Sequence, residues 1–209
     1  KSLFQMTLER NRSTCNNFLI LTNNDHYFLA QDQAENVGFR NLTMILEPIG
    51  RNTAPAIALG CLSLNPEEIV LVTPSDHLIQ KNDVYEESLR QAMELAEGNH
   101  LVTFGIHPSY PETGYGYIKY KGNEVVEFKE KPDKKTAEQY ILSREYYWNS
   151  GMFCFKAGVY LEELKLHSPE IYEAAKSAFF NANRQDITRV GLGDMNLIPA
   201  DSIDYAVME

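Results

Sequence analysis

Glu47-Pro48-Ile49-Gly50-Arg51-Asn52-Thr53-Ala54-Pro55-Ala56-Ile57-Ala58 is the stretch whose reading decides the fold. The apolar run before it, Leu42 to Leu46, reads as a strand, and the polar turn leads into an alanine-rich helix. Pro55 falls in the first turn of that helix, where a missing N–H costs least. This order of strand, turn and helix aims backbone amides, Arg51 and the Asn52 and Thr53 side chains at one point. Helix N-termini of this kind bind anionic or hydrogen-bonding ligands. Taken alone, the segment also reads as an ordinary connection.

The same rhythm extends outward on both sides. Ser2 to Asn11 predicts a helix, Phe18 to Leu21 a buried strand, and Asp25 to Gln33 a helix capped by Asn24 or Asp25. The helix that opens at Thr53 runs to about Leu64, and Glu68 to Val72 is a strand that stops at Thr73-Pro74. Val84 to Ala96 is a helix ended by Gly98, and Leu101 to Ile106 the next strand. Unbroken Val/Ile/Leu strands alternating with helices imply a Rossmann-like α/β fold, a mostly parallel central sheet with helices on both faces. After Ile106 the pattern changes. Tyr115 to Tyr120 and Glu124 to Phe128, joined at Gly122-Asn123, read as an antiparallel hairpin. Lys134 to Leu142 reads as a helix, Met152 to Phe155 as a strand, and Gly158 to Lys165 and Pro169 to Asn181 as two more helices. No repeat or long linker divides the chain, so residues 1–209 read as one domain whose second half supplies one wall of a cleft.

Composition narrows the function classes. With 209 residues and 44% hydrophobic content the chain can build a sizeable core. A net charge of −10 argues against a nucleic-acid surface. No apolar run approaches the roughly 18 residues that span a bilayer. Lys1 to Arg10 is charged and amphipathic, unlike a secretory signal. Cys15, Cys61 and Cys154 are odd in number and lack C-x-x-C spacing, which suggests buried free thiols in a reducing cytoplasm.

Several residues could carry chemistry. Asp76 follows the end of a strand, the edge where open parallel sheets bind ligands, although Ser75-Asp76 is also a common turn pair. Asp204 could equally be a cap. Glu130 and Lys131 stand at a strand end before Pro132, where charges are usually solvated. Asn149 precedes Gly151 and has a turn reading beside its capacity to donate and accept hydrogen bonds. Gly114 and Gly116 flank Tyr115, and both permit close backbone approach to a ligand or a β-bulge. No G-x-G-x-x-G or G-x-x-x-x-G-K-[ST] string occurs. No Ser/His/Asp or Cys/His constellation is evident either.

Six motifs follow one another in order. They are Glu47 to Ala58, Thr73-Pro74-Ser75-Asp76-His77, Pro111 to Tyr117, Phe128 to Pro132, Trp148 to Phe153 and Ser202-Ile203-Asp204-Tyr205. In this arrangement the chain resembles the sugar-nucleotidyltransferase family, specifically its mannose/GTP branch, which includes bacterial enzymes fused to a mannose-6-phosphate isomerase domain. The resemblance implies a nucleotidyltransferase fold with a small antiparallel sugar-binding portion. It implies transfer of GMP from GTP to mannose 1-phosphate, giving GDP-mannose and pyrophosphate for glycan synthesis, in the cytoplasm. It makes Asp76 and Asp204 ligands of Mg²⁺, the only cofactor expected. Lys131 would bind the sugar phosphate, while Glu130 and Asn149, with the Gly114-Tyr115-Gly116 loop, would meet the sugar. Arg51, Asn52, Thr53, Ala54 and Ser75 join the nucleotide-facing set. Guanine presents N1–H and N2–H₂ donors together, so a carboxylate suits it, and Glu47 is expected to select the base. His77 is expected to be structural.

In the resembled family a leading strand and a G-x-G-T-R-L-x-P loop precede the first residue seen here. The chain is therefore read as a piece of a longer protein, not expected to turn over by itself. A different donor or sugar, or a non-catalytic regulatory subunit that binds nucleotide sugar, are the alternative readings. A homo-oligomer is compatible with all of them.

Overall fold

The computed structural model describes residues 1–40 and 42–208. Helix α1 (Leu3–Asn11) opens with a reciprocal capping box between Ser2 and Gln5. Strand β1 (Leu19–Asn23), a short 3₁₀ turn at 24–26 capped by Asn23, helix α2 (Tyr27–Asn36) and strand β2 (Thr43–Glu47) follow. Then come α3 (Thr53–Leu62), β3 (Ile69–Val72), α4 (Asn82–Glu97) and β4 (Val102–Ile106). The second half contains β5 (Tyr117–Lys121), β6 (Glu124–Lys129), α5 (Lys134–Ser143), β7 (Tyr146–Lys156), α6 (Ala157–His167) and α7 (Pro169–Asn181). Short strands β8 (Asn183–Arg184) and β9 (Thr188–Arg189), helix α8 (Leu192–Leu197) and a π-helical turn over Asp204–Met208 complete it.

The α/β class and the hairpin around Gly122, which takes a positive φ of 63°, are as the sequence implies. The balance between parallel and antiparallel pairing differs. Parallel pairs join β1 to β2 and β2 to β9. The other sheet, of five strands, is antiparallel throughout. Its cause is β7, which lies between β3 and β4: Cys154 is partnered by Leu71 on one side and Val102 on the other. β7 also begins six residues earlier than the Met152–Phe155 run suggests. Asn149, Ser150 and Gly151 look like punctuation, yet pairing of Trp148 with both Ile106 and Tyr117 carries the strand through them.

The main core is organised around α3, whose sequence is apolar on every side and which is correspondingly buried from Ala54 to Cys61 apart from half-exposed Ala56. Gly60 lets it sit close to the sheet, since a Cβ there would lie 3.4 Å from Leu19 and Leu21 methyl groups. On its other side it meets α6 and α7, and the buried Tyr160 hydroxyl donates to the Ala54 carbonyl at 2.9 Å. All three cysteines are free thiols. Burial pushes the Cys61 thiol up to about 12 and Cys154 to about 11, so neither offers a reactive thiolate at neutral pH.

Candidate functional site

The middle of β7 is where five of the predicted site residues meet: Gly116, Glu130, Lys131, Asn149 and Asp204. The Asn149 backbone N–H donates to the Gly116 carbonyl at 2.8 Å, bringing the Pro111 to Tyr117 loop against the strand. A Cβ on Gly116 would lie 2.6 Å from Glu130 Oε2 and 3.4 Å from Asn149 Cβ. Glycine is thus what allows the Glu130 carboxylate and the Asn149 side chain to stand side by side. Glu130 is largely buried, and its Oε1 lies 3.1 Å from the exposed Lys131 Nζ. Lys131 takes φ 43°, a left-handed conformation that costs a non-glycine residue roughly 1–2 kcal/mol. That residue ends the alternation of β6, so adjacent side chains at 130 and 131 turn toward each other.

Asp204 reaches the same place from the C-terminal π-helical turn. Its Oδ1 accepts from Asn149 Nδ2 at 2.8 Å. Burial and then the neighbouring Glu130 charge hold its carboxyl above the ordinary aspartate range, with the Asn149 bond opposing them. The Asn149 Oδ1 in turn accepts from Gly151 N and from Thr103 Oγ1, each at 3.2 Å. Gly151, at φ 69°, turns its N–H back toward that oxygen and brings Pro74 to 3.7 Å of where its Cβ would be. Pro74 begins the exposed Ser75-Asp76 turn, so that turn leaves β3 beside Gly151 of β7.

Arg51, Asn52, Thr53 and Ala54 have a task that the sequence reading did not assign. Asn52, at φ 69°, caps α3 by accepting from Thr53 N at 2.8 Å. The Ala54 N–H donates to the Asp201 carbonyl at 3.1 Å, and Thr53 Oγ1 accepts from Ile203 N at 2.9 Å. Arg51 donates to the carbonyls of Met195 and Asn196 at 3.0 and 2.9 Å. The first turn of α3 and Arg51, two residues ahead of it, therefore fasten the segment that delivers Asp204, and two of the helix-terminal amides already have protein partners. Tyr115 stands apart from the cluster: its ring packs edge-on to Trp148 at 5.4 Å, and Trp148 neighbours Asn149 on the opposite face of the strand. Gly114 N donates to the Glu112 carboxylate at 2.8 Å.

Glu47 ends β2 with a buried carboxyl whose Oε1 has no hydrogen-bond partner. Burial pushes its pKa up to about 7. An unpaired buried carboxyl oxygen is costly and is suited to a ligand that brings donors to it. One contact was not visible in the sequence. Arg10, at the end of α1, donates to the His77 carbonyl at 3.3 Å and lies over the Tyr85 ring at 5.2 Å, bracing the turn that carries Asp76. His77 contributes its backbone there, consistent with a structural place.

Carboxylate oxygens are the donors that a small hard cation takes. No group of three or more His, Cys, Asp or Glu side chains is clustered for metal binding among the described residues. A Mg²⁺ ion keeps several waters and shares substrate oxygens, so it needs only one or two protein carboxylates; Asp204, crowded by Glu130, is a carboxylate that could supply one. Among the described residues no helix is long and apolar enough to cross a membrane.

Comparison with known proteins agrees with this architecture. The nucleotidyl transferase family model matches residues 1–191. The xanthan biosynthesis protein XanB of Xanthomonas campestris pv. campestris (strain B100) is 46% identical over 199 residues, covering 91% of this chain and 43% of that protein. Mannose-1-phosphate guanylyltransferase of Escherichia coli (strain K12) is 42% identical over 227 residues, covering all of this chain and 47% of that protein. The chain thus spans about half the length of the curated relatives it matches. Among solved structures, one described as mannose-6-phosphate isomerase from Helicobacter pylori superposes with a TM-score of 0.95 at 39% identity, covering 100% of this chain and 84% of that one. Another, described as mannose-1-phosphate geranyltransferase from Thermus thermophilus, gives 0.84 at 32% identity, covering 100% and 61%. With a family match over most of its length and a solved relative alike in sequence and shape, the chain belongs to the nucleotidyl transferase family.

Proposed function

We propose that this domain, within its full-length protein, transfers GMP from GTP to mannose 1-phosphate, releasing pyrophosphate and GDP-mannose. The observation that carries the reading is the convergence of Asn149, Glu130, Gly116 and Asp204 on one point of β7, with Lys131 at its exposed rim. A carboxylate, a carboxamide and an ammonium side by side match a hexose hydroxyl pair attached to a phosphate. The similarity to proteins named mannose-1-phosphate guanylyltransferase supports the choice of sugar and base.

In this reading the attacking oxygen belongs to the sugar phosphate, which is largely ionised near neutral pH with its second pKa about 6. No general base is then required, and rate comes from alignment for in-line attack on the α-phosphorus. Lys131 holds the sugar phosphate, Glu130 accepts from sugar hydroxyls, and Asn149 keeps one N–H for the same purpose. Glu47 faces the donor edge of guanine. Asp76 and Asp204 would hold Mg²⁺, which when bound supplies charge neutralisation at the phosphates. We place the activity in the cytoplasm, in keeping with the free thiols of the chain.

The test is product formation by the full-length protein. GTP and mannose 1-phosphate should give GDP-mannose and pyrophosphate, and excess chelator should abolish it. Equal turnover with UTP and glucose 1-phosphate would overturn the choice of branch. Undiminished activity in chelator would overturn the metal role of Asp76 and Asp204.

A further inference from the structure

We infer that Thr103 is a positioning residue for the site: its hydroxyl fixes the Asn149 carboxamide so that the amide nitrogen is held on Asp204 and the amide oxygen is closed to ligand. The inference rests on the reading of Asn149 and Asp204 given above, but its geometry is independent of any substrate.

Thr103 sits in β4 beside β7, where it is half-buried and partners Phe153 in the ladder. The register slips between Thr103 and Gly105, and the next pair is Gly105 with Asn149. That bulge brings Thr103 Oγ1 to 3.2 Å of Asn149 Oδ1, with the Met152 carbonyl at 3.5 Å as its other neighbour. A carboxamide oxygen has two lone pairs. Gly151 N takes one at 3.2 Å and Thr103 takes the other. On the opposite end Asp204 Oδ1 can only accept when ionised, so it requires the amide nitrogen at 2.8 Å. Gly151 N–H can only donate. Both ends demand the same flip, and Thr103 adds the second donor that fixes the plane of the amide.

Two consequences follow for chemistry. Asn149 meets a ligand as a donor only, through its second N–H, while the adjacent Glu130 carboxylate meets it as an acceptor only. A ligand group that reaches both would have to accept from one and donate to the other, which a hydroxyl does and an ether oxygen or an ammonium does not. Asp204 in turn is held by an amide whose orientation is set from β4, a strand that contributes no other side chain to the cluster.

The experiment uses the full-length protein with asparagine-selective ¹⁵N labelling, the Asn149 side-chain resonance being assigned by its loss in Asn149→Asp. In Thr103→Val we expect hydrogen exchange of the Asn149 side-chain amide to rise at least fivefold. kcat for GDP-mannose formation should fall about fivefold to tenfold, with KM for GTP within twofold of wild type. Thr103→Ser, which keeps the hydroxyl and loses the methyl, should restore both readings to within twofold. If Thr103→Val leaves the amide signal and its exchange unchanged, the inference is overturned. It is also overturned if Val and Ser disturb the amide equally, because packing of the methyl group would then be the cause. If the protein makes no GDP-mannose at all, the proposed reaction fails while the amide signals still decide the role of Thr103.

Discussion

The Thr53 hydroxyl accepts a hydrogen bond from the Ile203 N–H at 2.9 Å, across 150 residues of sequence. This bond ties the first turn of the most buried helix to the residue immediately before Asp204. Thr53→Val removes the acceptor at nearly constant volume and leaves the Ile203 N–H unpaired. We expect a loss of about 1–2 kcal/mol in stability by urea denaturation, and a fall in turnover larger than that loss explains, because Asp204 is released. Thr53→Ser should behave like wild type in both measurements. Equal effects of Val and Ser would point to the methyl group instead.

The raised pKa of Glu47 makes stability depend on pH in a defined window. Its value of about 7 in the fold lies above the ordinary 4.5, so the folded chain binds the proton more tightly than the unfolded one. That contribution is fully present below about pH 4.5 and is lost as pH rises through 7. The difference corresponds to an upper value of about 3 kcal/mol. Glu47→Gln should flatten this part of the pH–stability curve, measured by thermal or urea unfolding of the ligand-free protein. If wild type and variant fall in parallel between pH 4.5 and 7, the carboxyl is not the source.

The same substitution tests base selection. Glutamine replaces one carboxyl oxygen with a donor that opposes the donors of guanine. Preference for GTP over ATP or UTP should drop by about 1–3 kcal/mol, the scale of an unpaired buried polar group. Competition kinetics with the three nucleotides measure it, and an unchanged preference would move base recognition away from β2.

Lys129 and Lys131 are close in sequence and unlike in setting. Lys129 lies 3.7 Å from Glu127 on the strand, whereas Lys131 is turned onto Glu130 at the site. Lys131→Ala should weaken mannose 1-phosphate by about 1.5–3 kcal/mol, as expected for a charge-assisted contact, with little change for GTP. Lys129→Ala should be close to silent. Steady-state kinetics with each substrate varied separately will show whether the two variants differ; identical behaviour would refute the assignment of Lys131.

Gly116 offers a steric test of the sugar side. An added methyl would stand 2.6 Å from Glu130 Oε2 and 2.9 Å from the Phe128 ring, so Gly116→Ala must displace the carboxylate. KM for mannose 1-phosphate should rise about tenfold or more, with the GTP KM held within twofold. Gly122→Ala, at a turn with open space but a positive φ of 63°, should instead lower stability without touching either KM.

Much of this arrangement was legible from local sequence. Continuous apolar strands, the all-round apolar α3 and the Gly122-Asn123 turn each announce themselves through periodicity or backbone freedom. What escaped was long-range pairing. Nothing in Tyr146 to Gly151 distinguishes a strand from an aromatic loop until β4 and β5 are seen on either side of Trp148. For the same reason Asn149 could be placed in a motif but not matched to Thr103, and Arg10 gave no sign of reaching His77. The Arg51 to Ala54 turn shows a subtler failure. Its polar groups looked free because their partners, at residues 195 to 203, lie at the far end of the chain.

The insertion of β7 between β3 and β4 sets a timetable for synthesis. Ile69 is paired with Lys156, more than eighty positions later, and Val102 with Cys154, about fifty later. At translation rates of roughly 5–20 residues per second, β3 and β4 leave the ribosome several seconds before the strand that joins them. During that interval each presents an apolar, unpaired edge, the form of surface that invites pairing with a wrong chain. A nascent chain stalled before residue 146 should therefore be prone to association, and one stalled well beyond 156 should not. The strand that gathers the site is also the strand whose arrival ends the chain's exposure to its neighbours.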